Sequence, residues 1–343
     1  MNFIRKNFFS SYWNTGVTLA IVYLAVRIVP SMLNWSLFDA IWIAHDSSAC
    51  REMRGEGACW AFITEKYRFI LFGTFPFEQH WRPAAATLIL VAMWVISSLR
   101  SAWRWWLIAL WISGLAAIGV LMWGGVLGLP YVENERWGGL ILTLMLGTSG
   151  VALAFPFAIL LALGRRSDFP VIRGFCVGYI ELVRGVPLIS VLFMASVMLP
   201  LFLPSGVNID KLLRAQIALM LFAAAYLAEA VRGGLQTVPA NQYSAASALG
   251  FGYWRRMRYI ILPQALRIAV PSLVNTCIGL FKDTSLVAII GLFDFLATVS
   301  AGLNEPAWSG FGIEAYLFAA FVYLILCGSM AFSSRRFEQG GRQ

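Results

Sequence analysis

The chain has 343 residues, 59% hydrophobic and 13% charged, with a mean hydropathy of +0.73, and that much apolar surface excludes a soluble globule. The formal net charge of +9 does not point to nucleic acid, because no basic stripe interleaved with aromatic residues stands outside the apolar runs. Apolar runs of roughly 20 residues are long enough to cross a hydrocarbon core. The fold class expected is therefore an all-α polytopic membrane protein with about eight transmembrane helices.

In chain order the spans are expected near 17–35, 84–99, 105–123, 138–163, 174–199, 213–231, 260–281 and 313–332. The first is long, carries Arg27 and Pro30 and lacks a small-residue cleavage site, so it reads as a retained span rather than a signal peptide. With the N-terminus inside, the inner segments hold 14 Lys/Arg against 2 Asp/Glu and the outer segments 9 against 12. That asymmetry orients the chain with both termini and the 239–263 segment in the cytoplasm, and it makes the net charge a matter of topology. The outer loop 36–82 holds Cys50 and Cys59, either a disulfide on an oxidising side or two unpaired thiols. Its aromatic residues suit a small packed cap or interfacial layer, or an interfacial tether with no partner.

No catalytic grouping is visible. The two histidines, His45 and His80, both fall in the outer loop, no Cys/His cluster has metal spacing, and no GxxxxGK[ST] stretch could cradle a nucleotide phosphate. Ionisable residues at membrane depth are costly unless paired, which singles out Glu181 with Arg184 and Glu229 with Arg232, each pair three apart on one helix face. Glu181 and Arg184 are read either as an ion pair that positions a helix or as lining of a translocation route. Glu229 and Arg232 are read as structural coupling, and Arg267 as snorkelling to the inner surface. Further on, Asn275 and Gly279 lie one turn apart, and Lys282, Asp283, Thr284 and Ser285 interrupt an apolar run.

Asn241 to Pro263, NQYSAASALGFGYWRRMRYIILP, is a polar interruption between two spans. It divides into two helix-like pieces hinged at Gly250 and Gly252, with Pro239 ahead and Pro263 closing the segment. Ala245, Ala246 and Ala248 give the first piece a small-residue face, and Arg255, Arg256 and Arg258 suit an anionic membrane surface. Ser244-Ala245-Ala246, Gly250, Ile260 and Leu262-Pro263 match the spacing of the EAA loop of ABC-type importer permeases. The Glu of that pattern is Ser244 here, so one acidic contact with a partner ATPase is missing. AYLAEAVRGGLQTVP, LPQALRIAVPSLVNTCIGLFKDTSL, ELVRGVPL and RWGGLILTL extend the resemblance, which is to polar amino acid permease subunits and covers Trp137 to the C-terminus.

The resemblance implies a type I importer permease core in the last five helices, residues 137–343, with 1–136 as an added block of three spans and the outer loop. It implies that this chain binds no cofactor and hydrolyses no ATP, with ATP and Mg held by separate ABC ATPase subunits docked on the 239–263 segment. A second, paralogous permease subunit and a periplasmic amino-acid-binding protein would complete the importer in a bacterial inner membrane. In an amino acid carrier Lys282 would suit a substrate carboxylate and Asp283 an ammonium, with Asn275, Thr284 and Ser285 fixing geometry; the alternative is a self-satisfied turn capping the helix. The rival classes are an ion-coupled secondary transporter, which would show broken helices in two matching halves, and a membrane-embedded enzyme, which would show clustered His or carboxylates at one depth.

Overall fold

The computed structural model describes residues 7–44, 47–53, 55–204 and 206–339. His45 lies outside them. The chain packs as two compact units, one of residues 1–67 and 302–318 and the other of 68–301 and 319–343.

The smaller unit begins with α1, Tyr12–Leu33, which runs on through a wider π turn, Asn34–Phe38. None of its residues is buried, and its apolar side chains point outward on every face, as a helix immersed in lipid requires. The outer loop then folds as a packed layer. Cys50 and Cys59 form a disulfide with their Cα atoms 5.7 Å apart. Trp42 stacks on Trp60 at 6.0 Å and Phe62 meets Trp308 edge-on at 5.8 Å. Arg51 donates to the carbonyls of Pro306 and Ala307 at 2.7 and 3.1 Å, and the Cys59 amide donates to Glu314 at 3.1 Å. An ion pair joins Lys66 to Glu305 at 2.5 Å.

In chain order the longer helices that follow are α2 (Ala61–Phe72), α3 (Trp81–Ser98), α4 (Trp106–Trp123), α5 (Gly139–Arg165), α6 (Pro170–Gly185), α7 (Leu188–Phe193, carried on by a π turn, Met194–Met198, and a last turn, Leu199–Phe202) and α8 (Lys211–Thr237). They are followed by α9 (Ala240–Ala248), α10 (Tyr253–Arg256), α11 (Leu262–Asp283), α12 (Phe295–Leu303) and α13 (Gly312–Gln339). Seven helical segments among the described residues are long and apolar enough to cross a membrane, or eight if a bent pair counts as one span.

That bent pair corrects the expected single span at 174–199. The helix breaks by 101° between Gly185 and Leu188. Val186 precedes a proline and is driven to an extended conformation (φ −104°, ψ 132°), and Pro187 has no N–H to continue the ladder. One broken helix is thus present among the described residues, without a matching counterpart.

The core of the larger unit is α5 against α8, and α8 against α11. Ala154, Ala158 and Ala162 on α5 and Ala215, Ala218, Ala223 and Ala224 on α8 are buried in one cluster. Small side chains let helix backbones approach where no water drives association. A second buried cluster holds Leu90 of α3 and Ile118 and Met122 of α4 together with Trp137, Ile141 and Phe281. Helices that the motifs set apart before residue 137 therefore share a buried layer with α5 and α11. At the start of α5, Gly138 and Gly139 pair in parallel with Phe293 and Asp294. Gly139 has φ +71°, and a Cβ there would strike the Leu71–Phe72 backbone, so the Gly-Gly of RWGG answers both conformation and space.

Candidate functional site

The segment after α8 is built by its prolines and glycines. Pro239 (φ −60°, ψ 143°) turns the chain out of α8, and α9 starts at the next residue. It stops at Gly250, where φ is +78°. The Gly250 amide returns to the Ser247 carbonyl at 3.0 Å and the Phe251 amide to that of Ala246 at 3.1 Å, the paired bonds of a Schellman cap. A Cβ on Gly250 would meet nothing within 4 Å, so glycine is needed for its backbone and not for space.

From Tyr253 the chain is helical without interruption. Pro263 does not close the segment as the sequence suggests. It occupies the first turn of α11, where its missing N–H is tolerated, and a π turn over Met257–Ile261 precedes it. The Gln264 side chain donates to the Ile260 carbonyl at 2.8 Å.

The small-residue face divides. Ala246 is buried against the chain's own core, whereas Ser244, Ala245 and Ala248 are exposed. Leu249 is 75% exposed and Trp254 69%, so the outward surface is a small-residue patch flanked by two apolar knobs. Ser244 fills the place of the pattern's acid and donates only to the Ala240 carbonyl, at 3.4 Å. Ile260 and Leu262 pack on the main core.

Tyr243 ties this segment to the spans. Arg166, just past α5, donates to the Tyr243 hydroxyl at 3.1 Å and to the Leu235 carbonyl at 3.0 Å, and Tyr243 donates to the same carbonyl at 3.3 Å. The Arg166 and Arg256 guanidinium groups lie 5.5 and 6.0 Å from the Tyr243 ring centre, within cation–π range. Arg256 also donates to the Ser247 hydroxyl at 2.5 Å, joining α9 to α10. Sequence reading missed Tyr243; an aromatic among the polar residues of the loop was the available signal.

Beside it lies an ion network. Glu229 on α8 accepts from Arg165 at 2.8 Å and from Arg232 at 2.8 Å, with Arg184 at 3.7 Å. Glu181 pairs with Arg165 at 2.9 Å. The expected neutralisation of Glu181 by Arg184 is thus replaced by contacts across helices, since Arg165 at the end of α5 reaches both acids at once. Glu229 and Arg232 do pair along their own helix.

The Asn275 to Ser285 stretch is helical throughout, α11 tightening into a 3₁₀ helix, Thr284–Ile290, that ends at Gly291 with φ +77°. Thr284 is buried and donates to the Phe281 carbonyl at 2.7 Å, and Ser285 donates to that of Lys282 at 2.9 Å. Both hydroxyls are engaged with their own helix. Asn275, Gly279 and Lys282 form an exposed line at helical spacing, and Asp283 is half-buried.

Residues 154–343 match the family of binding-protein-dependent transport system inner membrane components. The chain belongs to this family. Among its relatives, the inner membrane amino-acid ABC transporter permease protein YhdY of Escherichia coli K12 is 46% identical over 99% of this chain and 92% of its own. The glutamate/glutamine/aspartate/asparagine transport system permease protein BztC of Rhodobacter capsulatus is 36% identical over 99% of this chain and 93% of its own. A crystal structure of an amino acid ABC transporter with histidines superposes with a TM-score of 0.52 at 30% identity, covering 59% of this chain and 91% of that one. Both full-length relatives cover the first 136 residues as well as the family region.

Proposed function

We propose that this chain is the permease subunit of an ATP-driven ABC importer for polar L-amino acids. It would form half of the translocation pathway in a bacterial inner membrane, with both termini cytoplasmic, beside a second and paralogous permease subunit. ATP and Mg would be held by separate ATPase subunits, and a periplasmic binding protein would deliver the substrate. The observation that carries the reading is the exposed α9–Gly250–α10 surface, with Leu249 and Trp254 outermost, on a segment bound through Tyr243 and Arg166 to the ends of α5 and α8. A helix presented in this way suits a groove on a partner, and its anchoring would pass a push from that partner to the spans. Both full-length relatives are named as amino acid permeases, which supports the substrate class.

The test is to place cysteine at Leu249, outside the anchoring contacts, and to look for cross-linking to a co-purified ATPase that depends on nucleotide. An ATPase that co-purifies yet never cross-links at Leu249 or Ala245 would overturn the docking surface. Substrate-stimulated ATP hydrolysis by the reconstituted complex tests transport, and uptake driven by an ion gradient with no ATPase present would favour a secondary transporter instead.

A further inference from the structure

The central two turns of α1 are apolar on every face but one. At 3.6 residues per turn, Gly16, Ala20, Tyr23, Arg27 and Asn34 fall within about 40° of a common direction, with Ser31 beside them. No residue of α1 is buried, so this stripe is open along its length. A Cβ on Gly16 would meet nothing within 4 Å, which leaves that glycine without a steric reason inside its own chain. Arg27 is exposed, and its guanidinium lies 5.7 Å from the centre of the Tyr23 ring. Among the described residues that ring is the only partner the charge has.

The depth of that charge decides what can neutralise it. The helical run from Tyr12 to Phe38 has 27 residues, about 40 Å of rise. Trp13 and Trp35 bracket it about 33 Å apart, close to the thickness of a hydrocarbon core between its two aromatic belts. Midway between them is Leu24. Helical side chains lean toward the N-terminus, and the Arg27 guanidinium accordingly sits back over Tyr23 instead of extending to the nearer, C-terminal interface. It is held near mid-depth, roughly 15 Å from either edge of the hydrocarbon. A lone guanidinium there is costly, and lipid phosphates lie too far off to meet it. We propose that the stripe from Gly16 to Asn34 packs against a transmembrane helix of a second, different chain, which carries an Asp or Glu at mid-depth opposite Arg27 and small residues opposite Gly16 and Ala20. A guanidinium–carboxylate pair neutralises both charges, and close approach at Gly16 and Ala20 brings the two backbones near enough to form it. α1 itself holds no Asp or Glu, so two copies packed α1 to α1 would set arginine against arginine. The contact lies outside the matched family region, which begins at residue 154. It rests on α1 crossing the membrane and not on the docking of an ATPase.

The test puts the photoreactive residue p-benzoylphenylalanine in place of Ala20, on the stripe, or of Ala25, on the opposite face, in the full-length chain in its native membranes. Illumination should give one discrete protein adduct from position 20 and none from position 25, and mass spectrometry should place the cross-linked peptide in a transmembrane segment with an Asp or Glu at mid-depth. Arg27→Leu makes α1 more apolar and does not hinder its insertion. It should lower the adduct about tenfold at unchanged membrane yield, the loss that one charge-assisted hydrogen bond implies. Arg27→Lys keeps the charge and should retain most of the adduct. Arg27→Glu should abolish it, and exchanging the partner's acid for arginine in the same cells should bring it back. Adducts to lipid alone, adducts between two copies of this chain, or equal adducts from both faces overturn the proposal. So does a cross-linked segment without a mid-depth carboxylate, or an adduct that Arg27→Leu leaves unchanged. Because the assay uses neither nucleotide nor substrate, its failure leaves the permease reading untouched.

Discussion

Buried charge is satisfied in opposite ways near the two ends of α5. At its C-terminal end the contacts are between full charges: Arg165, Arg184 and Arg232 share Glu229, and Arg165 also holds Glu181. At its N-terminal end, charged side chains meet neutral dipoles. Arg82, fully buried, donates to the carbonyls of Leu121 at 2.5 Å, Pro130 at 2.9 Å and Met122 at 3.4 Å, and to the Gln79 side chain. Those of Leu121 and Met122 are at the C-terminus of α4, where a cation also complements the helix dipole. Asp294, equally buried, accepts the amides of Leu296 and Ala297 at 3.2 and 3.1 Å as a cap on α12. Ion pairs in which three arginines face one glutamate can exchange partners at small cost, whereas carbonyls fixed in helix ends cannot follow a moving guanidinium. Contacts that can exchange partners thus lie at the end that carries α9 and α10, and those that cannot are at the other.

The sharpest way to break that contrast is at Arg82. Arg82→Ala removes a buried side chain and strands several carbonyls, and should destabilise the protein by on the order of 4 kcal/mol. Thermal melts of the purified chain in detergent would show it as a large fall in midpoint together with loss of yield. Glu229→Ala comes next. It leaves three guanidinium groups facing one another, with Glu181 remaining as an acid bound to Arg165, and should cost about 3 kcal/mol. If this end is the rearranging one, Glu229→Gln should recover most of the stability while still altering ATPase stimulation. A variant that loses stability but keeps normal coupling would assign the network to structure alone.

Legibility in the sequence followed the range of each interaction. Spans were legible because an apolar run long enough to cross a bilayer is a local property, and the hinge at Gly250 because a positive φ is written in a single residue. Arg82 looked like one more charge in an outer loop, since its partners lie some 40 and 50 residues away in sequence. The rule of neighbours three apart found Glu229–Arg232 and misassigned Glu181, because Arg165 on another helix competes for it. Pro263 reads as a stop signal in isolation, yet a π turn and the first-turn position let the helix pass through it. The bend at Val186–Pro187 lay in the sequence as a Gly-Val-Pro break within a long span, outweighed by the hydrophobicity on both sides.

A third test uses pH. Burial pushes the Asp294 carboxyl up to about 6, its amide bonds offsetting only part of that shift. The folded pKa therefore lies above the ordinary carboxylate value, so the folded state holds its proton more tightly than the unfolded chain. The contribution is fully present below pH 4 and is lost as pH rises through about 6, on the order of 2–3 kcal/mol in all. Asp294→Asn should flatten the dependence of melting temperature on pH between about 4 and 6, leaving other titrating groups to set what slope remains. An unchanged slope would mean that Asp294 stays ionised and that its cap is stronger than its burial.

The smallest effect on stability should bring the largest effect on coupling. Gly250 is exposed and a side chain there would touch nothing, so Gly250→Val acts only through the backbone, where a β-branched residue at φ +78° costs about 1–3 kcal/mol. That strain is confined to the exit from α9. It can be relieved by unwinding the cap between Ser247 and Phe251 without disturbing the buried clusters of α5, α8 and α11. The spans should therefore melt almost as before, while α9 and α10 lose their fixed angle and the surface presented by Leu249 and Trp254 is no longer one body. ATP hydrolysis by the complex should then cease to respond to substrate, and Gly250→Asn, which tolerates the left-handed conformation, should restore the response. If valine and asparagine behave alike, the angle between α9 and α10 is not what transmits the push, and the link would have to run through Tyr243 and Arg166 alone.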